Sequence, residues 1–578
     1  MAFLAMNIVE RATDGWQQLP NSWPALVRKV LSARGIKTKE DMFFQLKELP
    51  RPEQLSSMSA AVSLLEEALQ NQWKVTIVAD FDSDGATSCA LAIRGLKAMG
   101  LQNIDFIVPN RFIHGYGLTP RLLADLDKDN LPDLLITVDN GISAHAGVDM
   151  AHQLGMKVLV TDHHLAGDNL PQAEAIVNPN QPDDLFPYKN LAGVGVCFYL
   201  LIGLRQHLRQ LNWFEQHDQI EPKVIDWLDL VALGTVADVV PLDKLNRSLV
   251  NIGLQRIRQG KGCEGINALI SVAGREAASL LSSDLAFSIA PRLNAAGRME
   301  DMGLGIQLLT DDSAATATQT ARMLNDINID RRTVEQTMQD DAKRMLAELS
   351  LDGELPRGLC LYHPEWHQGV IGLLASRVKE KVYRPVVAFA QGDEGELKGS
   401  ARSIPGIHIR DVLARVASHH PDILERFGGH AMAAGLTIKY DDLAVFENAF
   451  HDALEDMISA DTFLEELASD GQLEETELQL INAEALNAAV PWGQGFEEPR
   501  FHGTFIVQQW RLLGQEQNHL RLQLHTQSGE EVTAIAFGQT KPDWLAEDIA
   551  IIIRYKLSVN EFRGQRTLQL LIDQLAAA

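Results

Sequence analysis

The sequence predicts an α/β protein in three parts: a parallel sheet covered by helices, a second α/β lobe joined by a long helix, and a small C-terminal β-barrel. Three observations carry this. From Lys74 onward, short β-branched apolar runs alternate with helical segments, the pattern of a parallel sheet covered on both faces. Residues 313–349 hold neither proline nor glycine and are rich in alanine, arginine and acids, which suits one or two long helices. Residues 500–578 switch to five short strand patterns, which fits a small barrel.

The elements follow in order. Residues 1–70 read as helical, with Leu26, Val27, Val30 and Leu31, then Ala60, Leu64, Leu65, Ala68 and Leu69 at helical spacing; no chemistry is legible there. Lys74–Ala79 is a buried strand, too short for a helix. Gly85 reads as a tight turn that leads into a helix over 86–99. Further strands are expected at Ile104–Val108, Leu134–Val138 and Lys157–Thr161, with helices near 119–127 and 142–154 between them. The first lobe is placed at 71–310, a connecting helix at 311–350 and a second lobe at 351–460. In that lobe Trp366–Gly372 leads into a helix and Pro385–Ala390 is a strand. An acidic linker is expected over 461–499, then the barrel over 500–578. Its strands are expected at Gly503–Val507, Leu520–Leu524, Val532–Phe537, Ile549–Ile553 and Thr567–Ile572.

Composition narrows the class. At 46% hydrophobic and 22% charged, the 578 residues read as an ordinary globular chain. The opening Met1–Gly15 has no basic leader before its short apolar stretch, so it is not read as a signal peptide. The longest apolar run, Leu191–Leu204, falls short of a bilayer span. Cys89, Cys197, Cys263 and Cys360 show no CxxC spacing, which suits reduced thiols in a cytoplasm and argues against zinc held by cysteine. The net charge of −26 argues at first against a nucleic-acid partner. Its distribution weakens that objection. Between Asp441 and Pro499 lie 16 carboxylates and no lysine or arginine, so the remainder carries about −10 and has room for a local basic groove. The acidic stretch itself reads as a solvated helical face plus linker.

Polar motifs gather where the strands end, the edge at which open α/β sheets bind ligands. After the first strand come Asp80, Asp82 and Asp84; after the third, Val138-Asp139-Asn140-Gly141; after the fourth, Thr161-Asp162-His163-His164. A further segment, Ala232–Val240, sets Asp238 in an apolar run. Carboxylates packed so closely repel one another, and a hard divalent ion with oxygen ligands is the natural compensation. An EF-hand does not fit: counting Asp80 as one, position twelve is Leu91, and a strand precedes the loop. No GxxxxGK[ST] loop is present, which argues against an ATP-driven motor.

These motifs, with Phe427-Gly428-Gly429-His430, resemble those of the DHH phosphoesterase superfamily. The chain's length, Ala290-Pro291-Arg292-Leu293-Asn294-Ala295-Ala296-Gly297-Arg298-Met299 and Gly399-Ser400-Ala401-Arg402-Ser403 point to its single-strand-specific 5′→3′ exonucleases. The resemblance implies a DHH catalytic domain, a DHH-associated substrate-binding domain and an OB-fold. It further implies a two-metal site for manganese or magnesium. Asp82 would ligate one ion and Asp84 the other, Asp139 would bridge, and His163 with Asp238 would complete the second site. Many relatives have a histidine where this chain has Val78; Asp80 would take over that role. Asp162 would orient a histidine, and His164 would face the scissile phosphate or pack behind the ligands.

Substrate candidates are Arg111, Arg298, Ser400, Arg402 and His430. An enzyme working from the 5′ end needs a terminal-phosphate pocket. Ser400 and Arg402, two apart on one face of an extended segment, are read as forming it with Arg111 from the first lobe. Trp510, Arg521, Phe537, Arg554, Lys556 and Arg563 are candidate strand contacts on the barrel. The implied activity is degradation of single-stranded DNA to mononucleotides in recombination and repair. The implied partners are a single-strand-binding protein and a helicase, for a cytoplasmic monomer without membrane contact. Two other readings compete: a phosphodiesterase or phosphatase for short oligonucleotides, for which the barrel is superfluous, and a non-catalytic replication scaffold, which would have lost its metal ligands.

Overall fold

The computed structural model describes residues 6–111, 113–351, 356–392, 395–424, 426–463, 465–514 and 516–578. The apolar opening Met1–Ala5 and the expected start of the second lobe at 351–355 fall wholly or largely outside them. The chain divides into two compact units: 1–325 with 468–578, and 326–467.

In the first unit, helices α1 (Ala25–Ser32) and α2 (Met58–Asn71) precede the sheet, but the rest of the first 70 residues is not α-helical as expected. It holds a strand, Asn7–Glu10, and short 3-10 turns, because Pro20, Pro24, Pro50 and Pro52 punctuate it. The sheet is formed by β1 (Val75–Ala79), β2 (Ile104–Ile107), β3 (Leu134–Val138), β4 (Lys157–Thr161) and β5 (Ala175–Val177), in the order β2-β1-β3-β4-β5 and parallel throughout. Central strands β1 and β3 are buried at every residue, as expected of a sheet sheathed on both faces. Strand β5, only three residues long, escapes periodicity.

Helices α3 (Ser83–Ala98), α4 (Pro120–Ala124), α5 (His145–Gln153) and α6 (Gly193–Gln210) connect and cover the sheet. Val78, Val148, Val158 and Val160 share one core with Leu122 and Leu123 on the α4–α5 side, while α3 and α6 cover the other face. The apolar run of Leu191–Leu204 is therefore mostly a buried core helix. No helix among the described residues is long and apolar enough to cross a membrane.

Gly85 is not the expected turn. Helix α3 begins two residues earlier, capped by Asp82, whose Oδ1 accepts the amides of Asp84 (2.9 Å) and Gly85 (3.0 Å). Gly85 is needed for closeness: a Cβ there would lie 2.5 Å from the Asp80 carbonyl oxygen. The Ala232–Val240 segment belongs largely to helix α7 (Leu228–Ala237), which ends at Asp238. It is buried along nearly its whole length, so it lacks amphipathic periodicity.

A π-turn, Leu285–Ile289, feeds helix α8 (Ala290–Met299). The chain passes between the units within α9 (Ala314–Leu351). The second unit has a sheet of β6 (Leu359–Tyr362), β7 (Val386–Gln391), β8 (Glu396–Arg402), β9 (Arg426–Gly429) and β10 (Ala433–Lys439), ordered β9-β10-β8-β7-β6. Only β6 and β7 are parallel. Helices α10 (Ile371–Val382), α11 (Ile409–His419) and α12 (Leu443–Met457) pack on it.

The 461–499 stretch is not the linker expected. It contains strand Glu466–Ser469 and helix α13 (Leu480–Ala489), and Trp492 and Phe496 are buried and stacked at 5.5 Å. Its carboxylates find cations elsewhere in the same unit: Asp470 pairs with Arg34 at 2.6 Å, Glu477 with Lys29 at 3.1 Å. Strands β11 (Phe501–Leu513), β12 (His519–His525), β13 (Glu531–Ala536), β14 (Ala550–Phe562) and β15 (Gln565–Ala577) then close a barrel in the order β11-β12-β13-β15-β14.

Candidate metal centre

The carboxyl ends of β1, β3 and β4, joined by the end of α7, bring the acidic motifs together. Ligand atoms of Asp80, Asp82 and Asp139 lie within 4.8 Å of one another, and so do those of Asp84, His163 and Asp238. Asp139 also meets His163 and His164 within that distance and thus links the groups. His163 Nε2 is 3.1 Å from Asp139 Oδ1 and 3.6 Å from Asp238 Oδ2, yet all three atoms are buried without a hydrogen bond. Orphaned polar atoms converging in one place are costly unless a cation joins them. The residues present therefore fit divalent ions, and their oxygen-rich set with imidazole suits manganese or magnesium.

Local structure explains each position. Asp139 sits at φ +62°, a left-handed conformation that non-glycine residues seldom adopt, and the Tyr116 hydroxyl donates to its carbonyl at 3.0 Å. Gly193 begins α6 directly against it: a Cβ at Gly193 would stand 2.6 Å from Asp139 Cβ. The first amides of α6 hold Asp84, with Gly193 N 2.6 Å and Val194 N 2.9 Å from its carboxylate. Asp162 does not join the cluster. Its Oδ1 accepts the amides of His163 and His164 and meets His164 Nδ1 at 2.7 Å, while Oδ2 accepts the Ile142 amide. Val78 is wholly buried in the apolar core.

The electrostatics match. Burial, then the neighbouring carboxylates, push Asp80, Asp84 and Asp139 well above the ordinary carboxylate range. Asp238 is raised to about 7 by burial and then by Asp82. Burial, then His164, lower His163 to about 4, which leaves a neutral imidazole. Burial also acts against a charge on His164, but the Asp162 hydrogen bond and charge outweigh it and hold the ring at about 9.

Two residues here gave no signal of their role in the sequence. Asn294 Oδ1 accepts both the amide (2.8 Å) and the hydroxyl (2.9 Å) of Ser83, which stands between Asp82 and Asp84. Gly297 lets α8 press on the same loop, since a Cβ there would overlap the Phe81 carbonyl. Arg298, half-buried, follows on the last turn of α8. Arg111 lies 4.1 Å over the Phe81 ring with its Nε buried and unbonded.

In the second unit, Ser400 and Arg402 share one face of β8, and Arg402 Nη1 donates to Ser400 Oγ at 3.0 Å. Gly372, at the start of α10, faces both: a Cβ there would be 2.8 Å from Arg402 Nη2. His430 is exposed beyond β9, its amide bonded to the Ala433 carbonyl at 2.8 Å.

The barrel candidates separate into two kinds. Phe537 is 59% exposed beside His519, Trp510 has Lys541 over its ring at 5.1 Å, Arg521 pairs across to Arg511, and Arg563 is exposed in the β14–β15 turn. Arg554 and Lys556 are committed elsewhere. Arg554 is bound to Asp573 at 2.9 Å, which joins two barrel strands, and Lys556 to Glu498 at 2.7 Å, which ties the barrel to the stretch before it.

Fold and site define a DHH-family protein: the "DHH family, N-terminal domain" matches residues 74–235, the "DHHA1 domain" 356–459 and the "RecJ OB domain" 469–574. The single-stranded-DNA-specific exonuclease RecJ of Dickeya dadantii is 46% identical over 576 residues, 99% of this chain and 100% of the relative. That of Escherichia coli is 45% identical over 573 residues, 99% of each. The crystal structure of Thermus thermophilus RecJ in complex with Mn2+ matches with a TM-score of 0.79 and 29% identity, over 99% of this chain and 80% of that one. The chain belongs to the RecJ family.

Proposed function

We propose that this protein is a metal-dependent exonuclease that degrades single-stranded DNA from the 5′ end to mononucleotides. The observation that carries the reading is the convergence of buried, unbonded His163 Nε2, Asp139 Oδ1 and Asp238 Oδ2 in a chain of this family. Asp80, Asp82 and Asp139 would hold one divalent ion; Asp84, His163 and Asp238, with Asp139 between the groups, would hold the other. Two such ions supply Lewis-acid polarisation of the phosphodiester and of the attacking water.

The chain's own residues do the rest. Asp162 fixes the His164 ring and keeps it protonated, so that it donates a hydrogen bond to a phosphate oxygen. Arg111 and Arg298 bind substrate phosphates beside the Asp80–Asp84 loop. In the second unit Ser400, Arg402 and the start of α10 make a donor set for a terminal phosphate, with His430 as a further contact. On the barrel, Phe537 and Trp510 offer stacking faces, while Arg521 and Arg563 add charge.

Family membership supports a role in recombination and repair. It also supports a cytoplasmic monomer that works with a single-strand-binding protein and a helicase. The test is degradation of end-labelled single strands against duplex, with and without manganese. Cleavage of both alike, or without a divalent ion, overturns the reading.

A further inference from the structure

Phe287 is 77% exposed, yet it sits in the middle of a π-turn. Leu285 and Ile289, two residues to either side, are fully buried. The segment Leu285–Ile289 is a π-turn, whose widened winding turns the intervening side chain outward. Arg275 pins the turn by donating to Ser288 Oγ at 3.2 Å, and Arg292 donates to the Ser288 carbonyl. Both guanidinium groups are therefore fixed at the residue after the ring, Arg275 also against Asp284 at 3.3 Å and Arg292 also on Asn325 Oδ1 at 3.1 Å.

The place matters as much as the exposure. Ala290, three residues beyond Phe287, accepts the Ser83 hydroxyl at 3.1 Å, and Ser83 lies between the ligands Asp82 and Asp84. Three residues are nearly one helical turn, about 4.5 Å of rise. The π-turn also packs against α7, which ends at Asp238. Two elements that carry or brace metal ligands therefore hold one outward-facing aromatic ring.

We propose that Phe287 is a stacking platform for an unpaired nucleobase beside the Asp82–Asp84 loop, held in place by Arg275 and Arg292; this rests on the single-strand reading above. A ring of this kind takes any base with a free face, whatever its identity. In a duplex the bases are stacked and paired, so the platform favours single strands.

The test compares Phe287→Ala and Phe287→Trp with the wild type in manganese. Substrates are an intact 5′-phosphorylated single strand and a set lacking one base at successive positions. Phe287→Ala should raise KM on the intact strand roughly tenfold, and Phe287→Trp should restore it. The wild type should lose a comparable factor when one particular base is missing, and Phe287→Ala should lose nothing further there. A folded Phe287→Ala protein with wild-type KM, or equal losses in both proteins at every abasic position, overturns the platform alone. A wild type that fails to degrade single strands overturns the underlying reading as well.

Discussion

Nε2 of His163 stands 3.1 Å from Oδ1 of Asp139, both buried and neither hydrogen-bonded. Burial, then His164, push the imidazole toward its neutral form, which weakens it as a cationic partner for the carboxylate. A positive charge shared between the two atoms would satisfy both, and the surrounding carboxylates strengthen that demand.

Asp82→Ala, Asp139→Ala and His163→Ala should each abolish cleavage of single strands in manganese while the protein stays folded. Each removes a donor atom that nothing else in the cluster replaces. Circular dichroism with a single-turnover assay checks it. Near wild-type turnover by folded Asp139→Ala sinks the two-ion assignment.

Asp139→Asn should separate stability from function. It deletes one of several mutually repelling buried charges, and asparagine tolerates the left-handed backbone at φ +62°. Without divalent ions its midpoint should rise by a few degrees, reflecting about 1 kcal/mol. The gain that the wild type shows on adding Mn2+ should shrink or vanish. Thermal melts with and without Mn2+ decide it, and an unchanged Mn2+ response would show that Asp139 holds no ion.

Arg402→Ala should cost about 2–3 kcal/mol of transition-state binding on 5′-phosphorylated strands, as for a lost charge-assisted bond. Strands with a 5′-hydroxyl should lose less, since they never made the full contact. The comparison is kcat/KM on both substrates in wild type and variant. Equal losses would place the terminal-phosphate contact elsewhere.

On the barrel, Phe537→Ala should weaken binding of long single strands by roughly 1–3 kcal/mol with little change in thermal stability. Arg554→Ala should do the reverse, because its guanidinium is bound to Asp573. Fluorescence anisotropy beside thermal melts distinguishes them. A binding defect in Arg554→Ala without loss of stability would reassign that residue to the strand.

The residues by themselves determined the strand runs at 75–79, 134–138 and 157–161, since a parallel strand buried on both faces must be a short β-branched stretch. They also determined which acids and histidines stand where those strands end, because strand order in the chain dictates the motifs' neighbours. Tertiary structure decided the rest. Asn294 stands in a motif the sequence shows, but its role appears only because α8, more than 200 residues along, lays its side chain on Ser83. Helix α7 hid its end at Asp238 because a helix buried nearly all round has no polar face to mark its period. The acidic stretch read as a linker because local charge is all a sequence shows. Its carboxylates are instead matched by Arg34, Lys29 and Lys556, two of them more than 400 residues distant. Local propensity is written in neighbouring residues, but charge pairing and close backbone approach exist only between surfaces that folding brings together.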